Sequence, residues 1–353
     1  MTNTGELPGP PGSNVSYNRV PFHMVANDGN LLEHTVAFDG VMDVFHDGNP
    51  DRWKGLLPAQ TIAERYDIVV DFSKHGIQPG DKVYMVNVLE HQDGKGTKGK
   101  VPLADILSGA YAPTPTATRW VNGDPGVGKI MELRVHAYAG TDLSMDPADY
   151  EPGKLKMIPL AIDRVANTVN DVSLNTAKHH TFEFVRSGGG VDPVSGLHGP
   201  WFIKVDGGQR NAATIQRISI IQRGALQVFT ITGGRGWTHP VHIHFEEGII
   251  LTRGGNPPPE WEMWARKDMY RIGPEEESKE IEAAYRARDF LGYYVTHCHN
   301  TMHEDHAMLL RWDSMVPGNI VLAPTPKPTW DGVLFEPSFQ LELADIGDGV
   351  GPK

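Results

Sequence analysis

An all-β fold follows from three features of this 353-residue chain. Glycine and proline are abundant, at 39 and 27 residues, and they cut the chain into short segments bounded by turns. Between the breaks, apolar and polar residues alternate with the period of a strand that buries one face. Helix-like periodicity is scarce: only Pro147–Tyr150 and Pro274–Ser278 could start short helical turns. Many short strands at regular spacing build sandwiches or barrels. A hydrophobic content of 39% suffices for sizeable cores, and the length suggests two domains.

The elements are expected in this order. Residues 1–18 are polar and rich in Pro and Gly, and read as a flexible leader. Residues 19–150 read as a partial β-sandwich domain. In it, PFHMVANDG and NLLEHTVAFDG form a hairpin around the turn Asn27-Asp28-Gly29, whose Asp-Gly dipeptide is a signal for positive φ. QTIAERYDIVVDF over 60–72 reads as one strong strand, KVYMVNVLEH as another, 92–127 as a long loop, and Lys129–Tyr138 as a further strand. Residues 151–178, with two prolines, read as a linker. Residues 179–316 read as a complete domain, with strands at TFEFV (181–185), Trp201–Val205, Ile215–Gln222, Ala225–Thr232, Val241–Ile250, Lys279–Arg288 and Tyr293–His297. The segment 317–353 is a Pro-rich tail.

Several function classes are disfavoured. A net charge of −12 argues against nucleic acid, and the small lysine run at Lys95, Lys98 and Lys100 is interrupted by glycine, as in a loop. No eighteen-residue apolar run is present, so no membrane span is expected, and the N-terminus has neither the basic start nor the apolar stretch of a signal peptide. A single cysteine rules out internal disulfides and leaves the compartment unread.

That cysteine, Cys298, stands between His297 and His299, with His303 five and Met308 ten residues after it. A second cluster, His239-Pro-Val-His242-Ile-His244, lies upstream. With His306, the two segments hold seven of the sixteen histidines. One thiolate, imidazoles and a thioether form the donor set of a blue-copper site. Zinc also takes Cys and His, but adjacent His-Cys-His with a methionine at this spacing is unusual for structural zinc. Alternate side chains of a strand face opposite ways. Cys298 therefore faces away from His297 and His299, so one strand can serve two metal sites. His242 and His244 share a face, whereas Pro240 bends the chain before them. His239 can then join Cys298, His303 and Met308, while His242 and His244 join His297 and His299.

The pair HxxHxH and HCHxxxHxxxxM resembles the third and fourth copper motifs of the multicopper oxidases: laccases, bilirubin oxidases and spore-coat-type bacterial laccases. PFHMVANDGNLLE and LLPAQTIAERYDIVVDF are similar to that family's second domain, and the resemblance runs from about residue 20 to about 315. It implies cupredoxin-like Greek-key β-sandwiches. It implies type 1 copper on His239, Cys298 and His303 with Met308 axial, type 2 copper on His242, and a type 3 pair on His244, His297 and His299. An axial Met implies a lower type 1 potential than Leu or Phe. His303-Glu304-Asp305 resembles the stretch whose glutamate delivers protons to oxygen, and Asp305 is a candidate to orient a ligand imidazole. The implied activity is one-electron oxidation of a phenol, aromatic amine, tetrapyrrole or metal ion near His239 or His303, coupled through Cys298 to reduction of O2 to water. The implied location is periplasmic or secreted.

The chain departs from the family in one respect. The trinuclear cluster needs eight imidazoles, and four come from two His-x-His motifs of the first domain. Here the only His-x-His pairs are His242/His244 and His297/His299. The chain is therefore expected to be a C-terminal portion, binding type 1 copper fully and sharing the type 2 and type 3 ions with a second chain or N-terminal fragment. Two rival readings are a type 1 electron-transfer cupredoxin and a copper-tolerance cuprous oxidase. The dispersed methionines speak against the second.

Overall fold

The structure is a computed structural model. It describes residues 18–315 apart from 93–95, 187–200, 211–219, 235, 245, 274–278, 288–290 and 307, with the backbone of 325–328 and 335–339. The expected leader, most of the Pro-rich tail and the possible helical turn at Pro274–Ser278 lie outside the described residues. Regular structure is dominated by strands; the α-helices among the described residues are Leu103–Ser108, Glu260–Met263 and Thr301–His306. None is long and apolar enough to cross a membrane.

The chain forms two compact units whose sequences interleave. The first contains residues 1–60, 65–159 and 259–265, and the second contains 61–64, 160–258 and 266–353. The boundary thus falls at 159/160, and the expected linker 151–178 is partly structured. Its residues 162–173 fold into a small three-stranded antiparallel sheet belonging to the second unit.

The first unit has a three-stranded sheet with His23–Asn27 between Asn30–Ala37 and Tyr66–Val69. The hairpin turn sits where the sequence puts it, with φ +52° at Asp28 and +83° at Gly29. A separate antiparallel pair joins Lys82–Asn87 to Gly128–Arg134. The core of this unit gathers Phe22, Met24, Leu32, Val36, Phe38 and Trp53 around Trp261, which is fully buried. Trp261 arrives on the helix Glu260–Met263, a return of the chain that no local pattern announces. The expected long strand over 60–72 is shorter, running over Tyr66–Val69. Residues 61–64 turn instead, with Ala63 at φ +65° and the Glu64 carboxylate accepting from the Thr61 amide.

The second unit is a β-sandwich. One sheet orders its strands 208–210, 201–205, 178–186, 226–233, 281–286 and 249–253; the other orders 220–222, 309–315, 292–298, 239–243 and 269–272. From 208–210 through 292–298 the chain passes back and forth between the sheets, the Greek-key manner of covering both faces of one core. That core includes Phe182, Phe184, Ile203, Phe229, Val241, Tyr270, Tyr285, Leu310 and, among these apolar groups, Cys298 and Met308. Gly233, at φ +118°, permits the close parallel pairing of 226–233 with 178–186: a Cβ there would lie 2.2 Å from the Phe184 carbonyl oxygen.

Candidate metal centre

Two neighbouring strands build the site. Val241 on His239–Ile243 stands opposite Cys298 on Gly292–Cys298, and His242 stands opposite His297. Opposed residues share a face, and consecutive residues do not. Cys298, Val241 and His239 therefore look into the sandwich, and His242, His244, His297 and His299 look out of it.

On the inner face, Cys298 Sγ lies 3.6 Å from His239 Nδ1 and 3.7 Å from His303 Nδ1, and the two nitrogens are 3.2 Å apart. An ion about 2.0–2.3 Å from each of three donors separates them by about 3.2–3.8 Å, so this set fits one cation in a His2Cys arrangement. His303 reaches it from the helix Thr301–His306, started by the Asn300 carbonyl, which accepts the amides of His303 and Glu304. Met308 follows directly: its amide donates to the His303 carbonyl, its own carbonyl accepts from the Cys298 amide, and its side chain is fully buried in the same core.

Water is kept from this face. Cys298 is 0%, His239 1% and His303 3% exposed. The Trp201 ring stacks on His303 at 3.8 Å, and Trp237 meets the same imidazole edge-on. The exposed Arg186 guanidinium covers both indoles, 5.3 and 5.1 Å from their ring centres. Burial fixes the protonation. It pushes the Cys298 thiol up to about 12, helped by Glu304. It lowers His239 to about 3, assisted by His303, and His303 to about 4, assisted by His306 and Arg186. Both imidazoles are neutral and carry a free lone pair at ordinary pH.

On the outer face, His242, His244 and His297 offer three ligand atoms within 4.8 Å of one another, all half-buried. His244 Nε2 and His297 Nε2 are 3.1 Å apart. The His242 Nδ1–H donates to the Asp268 carbonyl at 3.0 Å, and the His297 Nδ1–H to the Cys298 carbonyl at 3.3 Å. Each ring is thereby held as the tautomer that presents Nε2. Burial, with His244 and His242 next, lowers His297 to about 4. The His299 ring lies 5.1 Å from that of His297 and 5.8 Å from that of His242, beside the trio but not in it.

Glu304 stands near this face, its Oε1 3.9 Å from His297 Nδ1. Burial and then Asp305 raise its carboxyl, against a smaller pull from His299. Asp305 itself is exposed, and among the described residues no imidazole donates to it. Sequence reasoning left out Trp201, Trp237 and Asp268, whose roles depend on contacts between separate strands. The WTH spacing of Trp237 and His239 placed both on one face, and was the available signal for Trp237.

A cysteine and two histidines buried at bonding separation in a Greek-key sandwich fit the metal site of a cupredoxin. Residues 192–316 match the family model described as multicopper oxidase. The bilirubin oxidase of Albifimbria verrucaria is 27% identical over 304 residues, covering 84% of this chain and 40% of that protein. A laccase of Haloferax volcanii is 29% identical over 91 residues, or 25% of this chain and 15% of that one. Among solved structures, a multicopper oxidase from Aquifex aeolicus aligns over 84% of this chain and 50% of its own, with 16% identity and a TM-score of 0.49. A multicopper oxidase domain thus occupies residues 192–316, and the chain spans less than half the length of the curated relatives it matches.

Proposed function

We propose that this chain is the C-terminal, copper-bearing portion of a laccase-like multicopper oxidase. In this reading the assembled enzyme oxidises a small reducing substrate one electron at a time and reduces O2 to water. The observation that carries it is the back-to-back arrangement: adjacent residues of one strand, Cys298 and His297, belong to two separate donor groups on opposite faces.

His239, Cys298 and His303, with Met308 alongside, hold the type 1 copper, and His242, His244, His297 and His299 are the chain's share of the type 2 and type 3 sites. Copper supplies one-electron redox chemistry there that the side chains alone do not. The protein's own residues prepare the ground. The sandwich keeps the His239 and His303 imidazoles neutral and the indoles exclude water, so only the Cys298 proton must leave when the site is filled. The backbone from Cys298 to His297 and His299 is the shortest covalent link between the faces. Glu304, its carboxyl raised by burial and by Asp305, stands beside His297 and relays protons to that face. The remaining imidazoles come from a second chain or an N-terminal segment with two His-x-His motifs, in a periplasmic or secreted setting. The substrate is a phenol, aromatic amine, tetrapyrrole or metal ion.

The test is copper loading of the full chain, followed by absorption and spin-resonance spectra. An intense visible thiolate band that disappears in Cys298→Ser is expected. Zinc binding with no coloured copper form would overturn the reading. An electron-carrier role has one point in its favour: among the described residues, the Cys298 group joins a thiol and two imidazoles, which by itself suffices for a His2Cys site. Absence of O2 uptake by native preparations supplied with a phenol would favour it.

A further inference from the structure

Glu64, Lys267 and Arg271 form an ionic triad in the second unit. Lys267 Nζ lies 2.9 Å from Glu64 Oε1, and an Arg271 guanidinium nitrogen lies 3.2 Å from Oε2. The side chains are 0%, 1% and 4% exposed for Lys267, Glu64 and Arg271. Withdrawing three charges from water is costly, and apolar side chains of the same size would often hold a fold as well. Such a group calls for a role beyond stability.

Its neighbours point to one. Lys267 and Asp268 form the corner that leads into the strand Met269–Ile272, which pairs with His239–Ile243. The Lys267 backbone exchanges two hydrogen bonds with Gly248, and its carbonyl also accepts from the Tyr270 hydroxyl. The next carbonyl, that of Asp268, accepts from His242 Nδ1 at 3.0 Å and from the Ile243 amide at 3.1 Å. Arg271 extends the anchorage along the strand, its carbonyl accepting from Arg253. The corner that orients a candidate metal-binding imidazole is thus pinned by its own side chain to a carboxylate 203 residues earlier in the chain.

We propose that Glu64 is a positioning residue for the outer metal site. Through Lys267 it fixes the peptide whose Asp268 carbonyl holds His242 with Nδ1 protonated and Nε2 free. The idea rests on the reading of His242 as a ligand. Glu64 is not a catalytic residue, since it touches no reacting group. Partners that orient a ligating imidazole typically change metal affinity by about 10–100-fold when removed.

The test uses the full chain, metal-free, with histidine labelled in its ring nitrogens. Nitrogen shifts in the magnetic resonance spectrum report the His242 tautomer, and zinc titration in a Cys298→Ser background reports affinity at the outer trio. Lys267→Met is the first variant, because it leaves Glu64 paired with Arg271 and the Thr61 amide. Glu64→Gln is the second. An intact thiolate–copper band at Cys298 certifies the fold of each. The expected result is a single Nδ1–H tautomer in the parent chain. In the variants the tautomers are mixed and zinc affinity falls at least about tenfold, with the Cys298 site unchanged. An unaltered tautomer and affinity in a folded variant overturn the positioning role. A tautomer shift without zinc binding in the parent chain sustains the positioning role and overturns the reading of His242 as a ligand.

Discussion

Metal uptake at the inner site should release one proton per ion, and the count follows from the surroundings of three side chains. Burial holds the Cys298 thiol at about 12 against an ordinary 9.0, and holds His239 and His303 at about 3 and about 4. At pH 7 the thiolate is then on the order of 10⁻⁵ of the population, while both imidazoles are already deprotonated. The rise of three pH units in the thiol opposes metal binding by about 4 kcal/mol. A structural thiolate site, with a gross affinity of about 10–16 kcal/mol, absorbs that. Between about pH 5 and pH 11 the apparent affinity should therefore climb tenfold per pH unit, the slope of a single displaced proton. Below about pH 4 the slope should steepen as His303 and then His239 take up protons. The assay is calorimetric titration of the metal-free chain with zinc, in buffers of different ionisation enthalpy, using a variant without the outer trio to isolate the inner site. Release of no proton at pH 7 would mean a standing thiolate, and release of two would mean a protonated imidazole. Either refutes the argument.

Other outcomes follow from the same geometry. Cys298→Ser should abolish the visible band of the copper form yet leave zinc binding at His242, His244 and His297, because the two sets face opposite ways; titration of the variant checks this. The metal-free fold should lose stability on acidification. His239, His297 and His303 have folded values below the ordinary 6.5, so their contribution is complete above 6.5 and is lost as pH falls toward 4 and 3. The Glu64 carboxyl, which burial would raise but Lys267 and Arg271 pull down to about 2, adds a further loss below about 4.5, and thermal melts at pH 7, 5 and 3 read both. Gly233→Ala should cost about 3 kcal/mol or more in urea unfolding, since φ +118° is nearly closed to alanine and the new methyl meets the Phe184 backbone.

Much of this was legible in the sequence, for local reasons. The hairpin at Asn27-Asp28-Gly29 needs only residues that accept positive φ. The division of the two histidine motifs between faces needs only strand alternation, and the structure sets Cys298 inside and His297 outside accordingly. Other features depend on distant pairing. The alternation in QTIAERYDIVVDF suggested an unbroken strand, but Glu64 turns in to meet Lys267 and Arg271, which are 203 and 207 residues away. The pattern gave no sign that Trp261 returns to the core of the first unit. The helix carrying His303 was not anticipated either: a stretch such as TMHEDH without an apolar period carries no helical signal, and the turn over Thr301–His306 is set by the Asn300 carbonyl. Asp305 was a candidate partner for an imidazole, and the same helix directs it to solvent.

The most direct measurement is copper content per chain in purified native material, with spin-resonance spectra of the same sample. The account predicts the full type 1, type 2 and type 3 complement, present together with the chain or segment that supplies the missing imidazoles. Type 1 copper alone, in material that contains only this chain and consumes no O2, would contradict it.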